Sequence, residues 1–147
     1  MPGMRSVLAV VLFTAGSCLA ETLFVEAEDF IPSCDGWRVN RNAQARRASR
    51  AATLNGSAGP GDATASKSVT IGEAGPHRIW VRYMQHQRWR GPFRLAVLAG
   101  KKELAGKDFD VTVDRSVDNW EYRWDYLDVD LPGGELALRL SKCQKRN

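Results

Sequence analysis

The stretch from His77 to Met84, "HRIWVRYM", alternates without a break: Ile79, Val81 and Tyr83 share one parity, Arg78, Trp80 and Arg82 the other. Successive side chains of a strand point to opposite faces, so the pattern demands a strand with one face buried. Ala63–Ile71, Phe93–Ala99, Tyr122–Leu131 and Glu135–Leu140 also read as strands, the last with Leu136, Leu138 and Leu140 on one side. Thr22–Phe30 reads as the first strand of the series and Gly36–Val39 as a short piece. Turn residues punctuate them at Gly72–Pro76 and Pro132–Gly134. Ala43–Leu54 is rich in alanine and arginine but has no apolar stripe, and reads as a loop or a single turn. Many short strands with regular turns predict an all-β chain, an antiparallel β-sandwich or jelly roll. The pattern slips once. Tyr122, Trp124 and Tyr126 hold one parity and Leu127, Val129 and Leu131 the other, which predicts a β-bulge or a strand buried on both faces.

The N-terminus follows a different logic. Arg5 precedes an apolar run, "VLAVVLF", and small residues lead to Ala20. That is the layout of a secretory signal peptide over residues 1–20, with residues 21–147 forming one sandwich domain. The run is too short to span a bilayer, and no second apolar span follows. The processed chain is therefore expected to be secreted or periplasmic, without a transmembrane segment. A retained anchor or a buried segment is the alternative. Export makes a disulfide chemically permissible for Cys34 and Cys143. Pairing with each other, pairing with another chain and two free thiols all stay open.

"FVEAEDF", Phe24 to Phe30, places Glu26 and Glu28 two apart in a predicted strand, hence on one face. Like charges so close need water, an arginine or a cation between them. A formal net charge of +4 is mild, but Arg38, Arg41, Arg46, Arg47 and Arg50 fall in a stretch free of acids. Such a group suits a solvated loop, an acidic polysaccharide or nucleic acid, and export argues against the last.

Three stretches in order, "FVEAEDF", "DATASKSVTIGEAGPHRIWVRY" and "WEYRWDYLDVDLPGGELALRL", resemble the galactose-binding-like jelly rolls, especially carbohydrate-binding modules of the family 6 and family 35 type. They are also similar to the N-terminal sandwich of exported bacterial multidomain proteins. The likeness covers most of Leu23–Leu140. It implies a structural calcium held by Glu26 and Glu28, an ion that takes six to eight oxygens. Such modules close with a further strand after their L-x-L-x-L segment. "SKCQKRN" follows Leu140 here, so the fold is expected to lack that strand.

The resemblance also implies binding of a polysaccharide or oligosaccharide. Trp120 matches a ligand-facing aromatic, with Asn119 and Glu121 beside it to bond hydroxyls, and Trp37 loosely matches a second. An exposed ring stacks on the C–H patch of a sugar while polar groups take its hydroxyls. Trp89, between Arg88 and Arg90, could stack on an acidic glycan or lie folded against the sheet. Packing is the competing role for Trp120, and Trp80 and Trp124 read as core. Chemistry for catalysis is sparse: the two histidines, His77 and His86, lack metal spacing, and the glycines of "NGSAGPGD" lack the Lys-Ser/Thr of a phosphate loop. The expected function is carbohydrate binding without catalysis. A module that docks to another domain or protein and a small glycan-active enzyme are the rivals.

Overall fold

The computed structural model describes residues 6–14 (backbone only), 22–42, 44–56, 61–84, 91–111 and 122–143. The strands are β1 (Ser6–Thr14), β2 (Thr22–Val25), β3 (Ile31–Pro32), β4 (Arg38–Asn40), β5 (Thr53–Asn55), β6 (Thr64–Ile71), β7 (Gly75–Met84), β8 (Phe93–Ala99), β9 (Lys102–Phe109), β10 (Arg123–Leu131) and β11 (Gly134–Lys142). Short 3-10 turns occupy Ala27–Asp29, Gln44–Arg47 and Ser49–Ala51.

All strand pairings are antiparallel and form two sheets. One runs β10-β7-β1-β5-β4 with β2 also on β1; the other runs β3-β6-β11-β8-β9. Their inner faces meet in a single core. Ile79, Val81 and Tyr83 of β7 pack with Leu95 and Val97 of β8, Leu138 and Leu140 of β11 and Val69 of β6. Tyr83 meets the rings of Phe93 and Phe109 edge-on, each at 5.5 Å between centroids, a favoured aromatic geometry. The all-β sandwich expected from alternation is thus the fold, and the parity of "HRIWVRYM" assigns its inner face correctly.

Several local expectations change. The strand expected over Thr22–Phe30 ends at Val25, and a 3-10 turn follows over Ala27–Asp29. Ala27 and Phe30 are both buried, and the turn lets both reach the core, which strict alternation from Val25 would not. Ala43–Leu54 resolves into two 3-10 turns and the start of β5. β9 has no counterpart in the sequence reading, because "KELAGKDF" neither alternates nor carries a β-branched residue. It is an edge strand studded with charge, as exposed edges commonly are. The apolar run read as an export leader forms β1, inside the first sheet. No helix among the described residues is long and apolar enough to cross a membrane. Cys34 and Cys143 are free thiols, and burial, with Asp108 nearby, pushes the Cys143 thiol up.

Two glycines are fixed by close approach. Arg94 of β8 reaches across β9 and donates to Glu103 at 2.7 Å and to Asp108 at 2.9 Å. Its guanidinium crosses at Gly106, where a Cβ would sit 2.6 Å from Nη2. A Cβ on Gly56 would meet the Trp37 ring at 2.9 Å.

Candidate ligand face and acidic cluster

The parity slip in β10 marks the most distinctive surface of the molecule. β10 pairs with β7 in unbroken register from Arg123↔Tyr83 to Leu131↔Gly75, so no bulge exists there. Leu127, Val129 and Leu131 face inward opposite Ile79, His77 and Gly75. Trp124, Tyr126 and Asp128 lie on the outer face opposite Arg82, Trp80 and Arg78. The aromatic residues of β10 thus face solvent while its aliphatic residues face the core. Trp124 is 47% exposed and Tyr126 39%, which corrects the core role expected of Trp124.

The shelf is held in place by its neighbours. Trp80 and Tyr126 touch at 5.0 Å between ring centroids. The Arg78 guanidinium lies 4.1 Å from the Tyr126 centroid and donates to both oxygens of Asp128, at 2.6 and 2.9 Å. Hydrogen bonding from Arg78 holds the Asp128 carboxyl below its ordinary range. Farther along, Arg82 sits 4.8 Å over Tyr122 and donates to the Arg47 carbonyl at 3.1 Å. Burial pushes the Tyr122 phenol up, opposed by Arg82. Two aromatic and arginine groupings therefore flank Trp124, and each arginine is fixed by a second contact. Rings preset in this way offer a flat apolar surface with polar groups at its margin.

The acidic cluster lies at the end of β2. Glu26 follows the strand as the N-cap of the 3-10 turn and Glu28 lies within that turn, so they do not occupy one strand face as the spacing suggested. Glu26 Oε1 accepts a hydrogen bond from the Ser49 hydroxyl at 2.6 Å. Arg50 stands 3.9 Å from Glu26 and 3.6 Å from Asp29. Glu26 Oε2 and both oxygens of Glu28 are buried with no hydrogen-bond partner among the described residues. Arg50 and Ala51 take positive φ angles, 50° and 49°, uncommon for residues bearing a Cβ. This strained turn aims Ser49 and Arg50 at the acids, the setting in which backbone strain accompanies a built site.

Three carboxylate oxygens without a partner among the described residues, with the Ser49 hydroxyl beside Glu26, are donors of the kind a hard cation takes. Among the described residues no group of three or more His, Cys, Asp or Glu is placed to hold a metal. A cation here would therefore draw its remaining ligands from backbone carbonyls, the Ser49 hydroxyl or water.

Other expected site residues fall elsewhere. Trp37 is 2% exposed, and its indole donates to the Ala63 carbonyl at 3.0 Å. Its ring packs against Gly56, which leaves no face for a sugar. Trp89, Asn119, Trp120 and Glu121 lie outside the described residues. The arginine-rich stretch is partly structural, with Arg41 donating to the Arg50 carbonyl and Arg50 serving the acidic cluster. His77 is buried and donates from Nδ1 to the Gly75 carbonyl at 2.8 Å. The sequence reading missed Trp80, Trp124, Tyr126 and the two flanking arginines. The signal was the parity slip itself, which fits an exposed aromatic stripe as well as a bulge. Comparison with protein-family models, with curated proteins and with solved structures found no match to this chain.

Proposed function

We propose that this protein is an exported carbohydrate-binding module of the galactose-binding-like jelly-roll type, acting without catalysis. In this reading residues 1–20 direct export. The observation that carries the binding reading is the exposed shelf of Trp124 and Tyr126, braced by Trp80 and Arg78. An indole lying open on a sheet costs hydration free energy, and a pyranose face covers it in a way water does not. Asp128 and Arg82 stand at the margin, where a sugar's hydroxyls or a uronate's carboxylate would be met. Trp120, with Asn119 and Glu121, keeps its proposed role toward a sugar on the sequence alone. Trp89 keeps its proposed role toward an acidic glycan on the sequence alone. Glu26 and Glu28 are proposed to hold a structural calcium, a reading supported by their unpartnered oxygens.

Affinity electrophoresis through gels containing neutral and acidic polysaccharides tests the reading. Retardation is expected on at least one polysaccharide, reduced about tenfold in affinity or more by Trp124→Ala, with the melting temperature unchanged. If no polysaccharide retards the protein, or if Trp124→Ala and Tyr126→Ala both leave retardation intact, the sugar reading fails. A docking module is then favoured by Phe24 and Ile31, whose side chains are 70% and 76% exposed.

A further inference from the structure

The sheet that carries the aromatic shelf is joined across its middle by β1. β10 and β7 form one ladder and β5 and β4 another, and among the described residues it is β1 that connects them. β2 also enters the sheet only through β1. β1 is antiparallel to all three neighbours: to β7 along its length, to β5 at Ser6 and Val7, and to β2 from Val10 to Phe13. Its register is defined from both sides. Val10 is opposite Val25 and Val81, and Leu12 opposite Leu23 and Ile79. Val25, Ile79 and Val81 belong to the core, as do Leu54 and Tyr83 opposite Val7, so positions 7, 10 and 12 are core-side positions of the strand. One residue, Ala9, is extra in the ladder with β7, and it falls where the other flank passes from β5 to β2. The channel between β7 and β2/β5 is therefore matched to an extended aliphatic segment of nine residues.

Without such a segment the β7 edge and the facing β2 and β5 edges would present rows of unpaired peptide groups. The segment that fills the channel is the apolar run of the leader reading, and Ala20 is two residues before β2 begins at Thr22. A cut there leaves β1 attached by strand pairing alone.

We propose that the channel between β7 and β2/β5 is a strand-acceptor site, filled in the intact chain by Ser6–Thr14. Once the chain is cut after Ala20, as the export reading has it, that segment stays seated by strand pairing alone and exchanges with a free copy of itself in the same antiparallel setting. Main-chain hydrogen bonds on both edges supply affinity, and the three core-side positions supply selectivity. The incoming segment must be uncharged at the positions matching Val7, Val10 and Leu12. It must also carry no proline across the stretch matching Val10–Phe13, because both neighbours there need its peptide groups.

The test uses the full chain carrying a specific protease site within residues 15–20. After cutting, a labelled synthetic peptide of the sequence of Ser6–Thr14, flanked by lysines, is added in excess. The cut chain is expected to keep its own fragment through gel filtration and to exchange it for the labelled peptide. The melting temperature should rise with peptide concentration, as binding to the folded state requires. The same peptide with Val11→Pro should neither exchange nor stabilise. Aggregation on cutting that the aliphatic peptide prevents and the proline peptide does not also supports the site. Loss of the fragment with a monomeric remainder, whose melting the peptide leaves unmoved, overturns it, as does aggregation that neither peptide alters. None of these readouts involves a sugar, so the result stands apart from the fate of the aromatic shelf.

Discussion

Glu28 poses a physical problem that its surroundings do not solve: both carboxylate oxygens are buried and neither has a hydrogen-bond partner among the described residues. A buried polar group left unsatisfied costs about 1–3 kcal/mol, and more when charged. The two ways out have opposite signatures. If calcium supplies the missing partner, the ion raises the melting temperature by several degrees, and excess chelator reverses this, because a ligand of the folded state stabilises it by mass action. Glu28→Gln then abolishes the calcium response and lowers the melting point measured with calcium. If no cation binds, Glu28→Gln removes a buried charge and raises the melting temperature, with chelator inert. The expected outcome is the first, read by thermal melts of both proteins with and without the ion. The sequence already paired Glu26 with Glu28 as a candidate site. What it hid was Ser49 and Arg50, brought in by a strained turn more than twenty positions away, at a distance only the fold defines.

The elements show how far alternation carries and where it stops. β7 and β11 were legible because buried aliphatic residues recur at every second position, and β8 as a short apolar run buried from Leu95 to Leu98. β10 was legible as a strand but not in its facing, since a change of parity fits a bulge, double burial or an exposed stripe equally well. The unbroken register of β10 with β7 excludes the bulge, and exposure of Trp124 and Tyr126 excludes double burial. β9 escaped because its place depends on partners outside its own sequence. Arg94 clamps Glu103 and Asp108 across it, and Gly106 leaves the gap through which the guanidinium passes. Substituting Gly106→Ala should push the Arg94 guanidinium aside and destabilise by about 1 kcal/mol or less, since the atoms in the way are the ends of flexible side chains and partly exposed ion pairs contribute no more than that. The change is measured by denaturant melts. Arg94→Ala should cost about the same, and the double variant no more than either alone. Additive losses would mean that Gly106 has a role independent of Arg94.

For the whole molecule, the contacts that join the two sheets differ along β10. At its C-terminal half the joint is apolar, with Leu127, Val129 and Leu131 packed on the core. At its N-terminal half the inward positions are Arg123 and Asp125, and the joint becomes ionic. Lys107 of β9 donates to the Asp125 carboxylate and to the Tyr126 carbonyl, both at 2.8 Å. Arg123 lies 5.9 Å from the Tyr83 ring that anchors the inter-sheet aromatic cluster. Burial alone would raise the Asp125 carboxyl, but the Lys107 ammonium, the Tyr126 amide and Arg123 outweigh it and hold it below the usual range. A carboxyl depressed in the folded state stabilises at pH values above its unfolded pKa of about 4, and that stabilisation is lost as pH falls through the folded value. Asp128 is depressed by Arg78 in the same direction. The melting temperature should therefore hold steady from neutral pH down to about pH 5 and fall progressively below about pH 4. Asp125→Asn should lower the melting temperature at pH 7 and flatten the acid limb, since the variant has no proton to take up at that position. Lys107 keeps the Tyr126 carbonyl, so the variant should stay folded and the comparison remains measurable. An acid limb as steep in Asp125→Asn as in the parent would place the acid sensitivity in other carboxylates, and would mean that the ionic half of the joint contributes little to holding the sheets together.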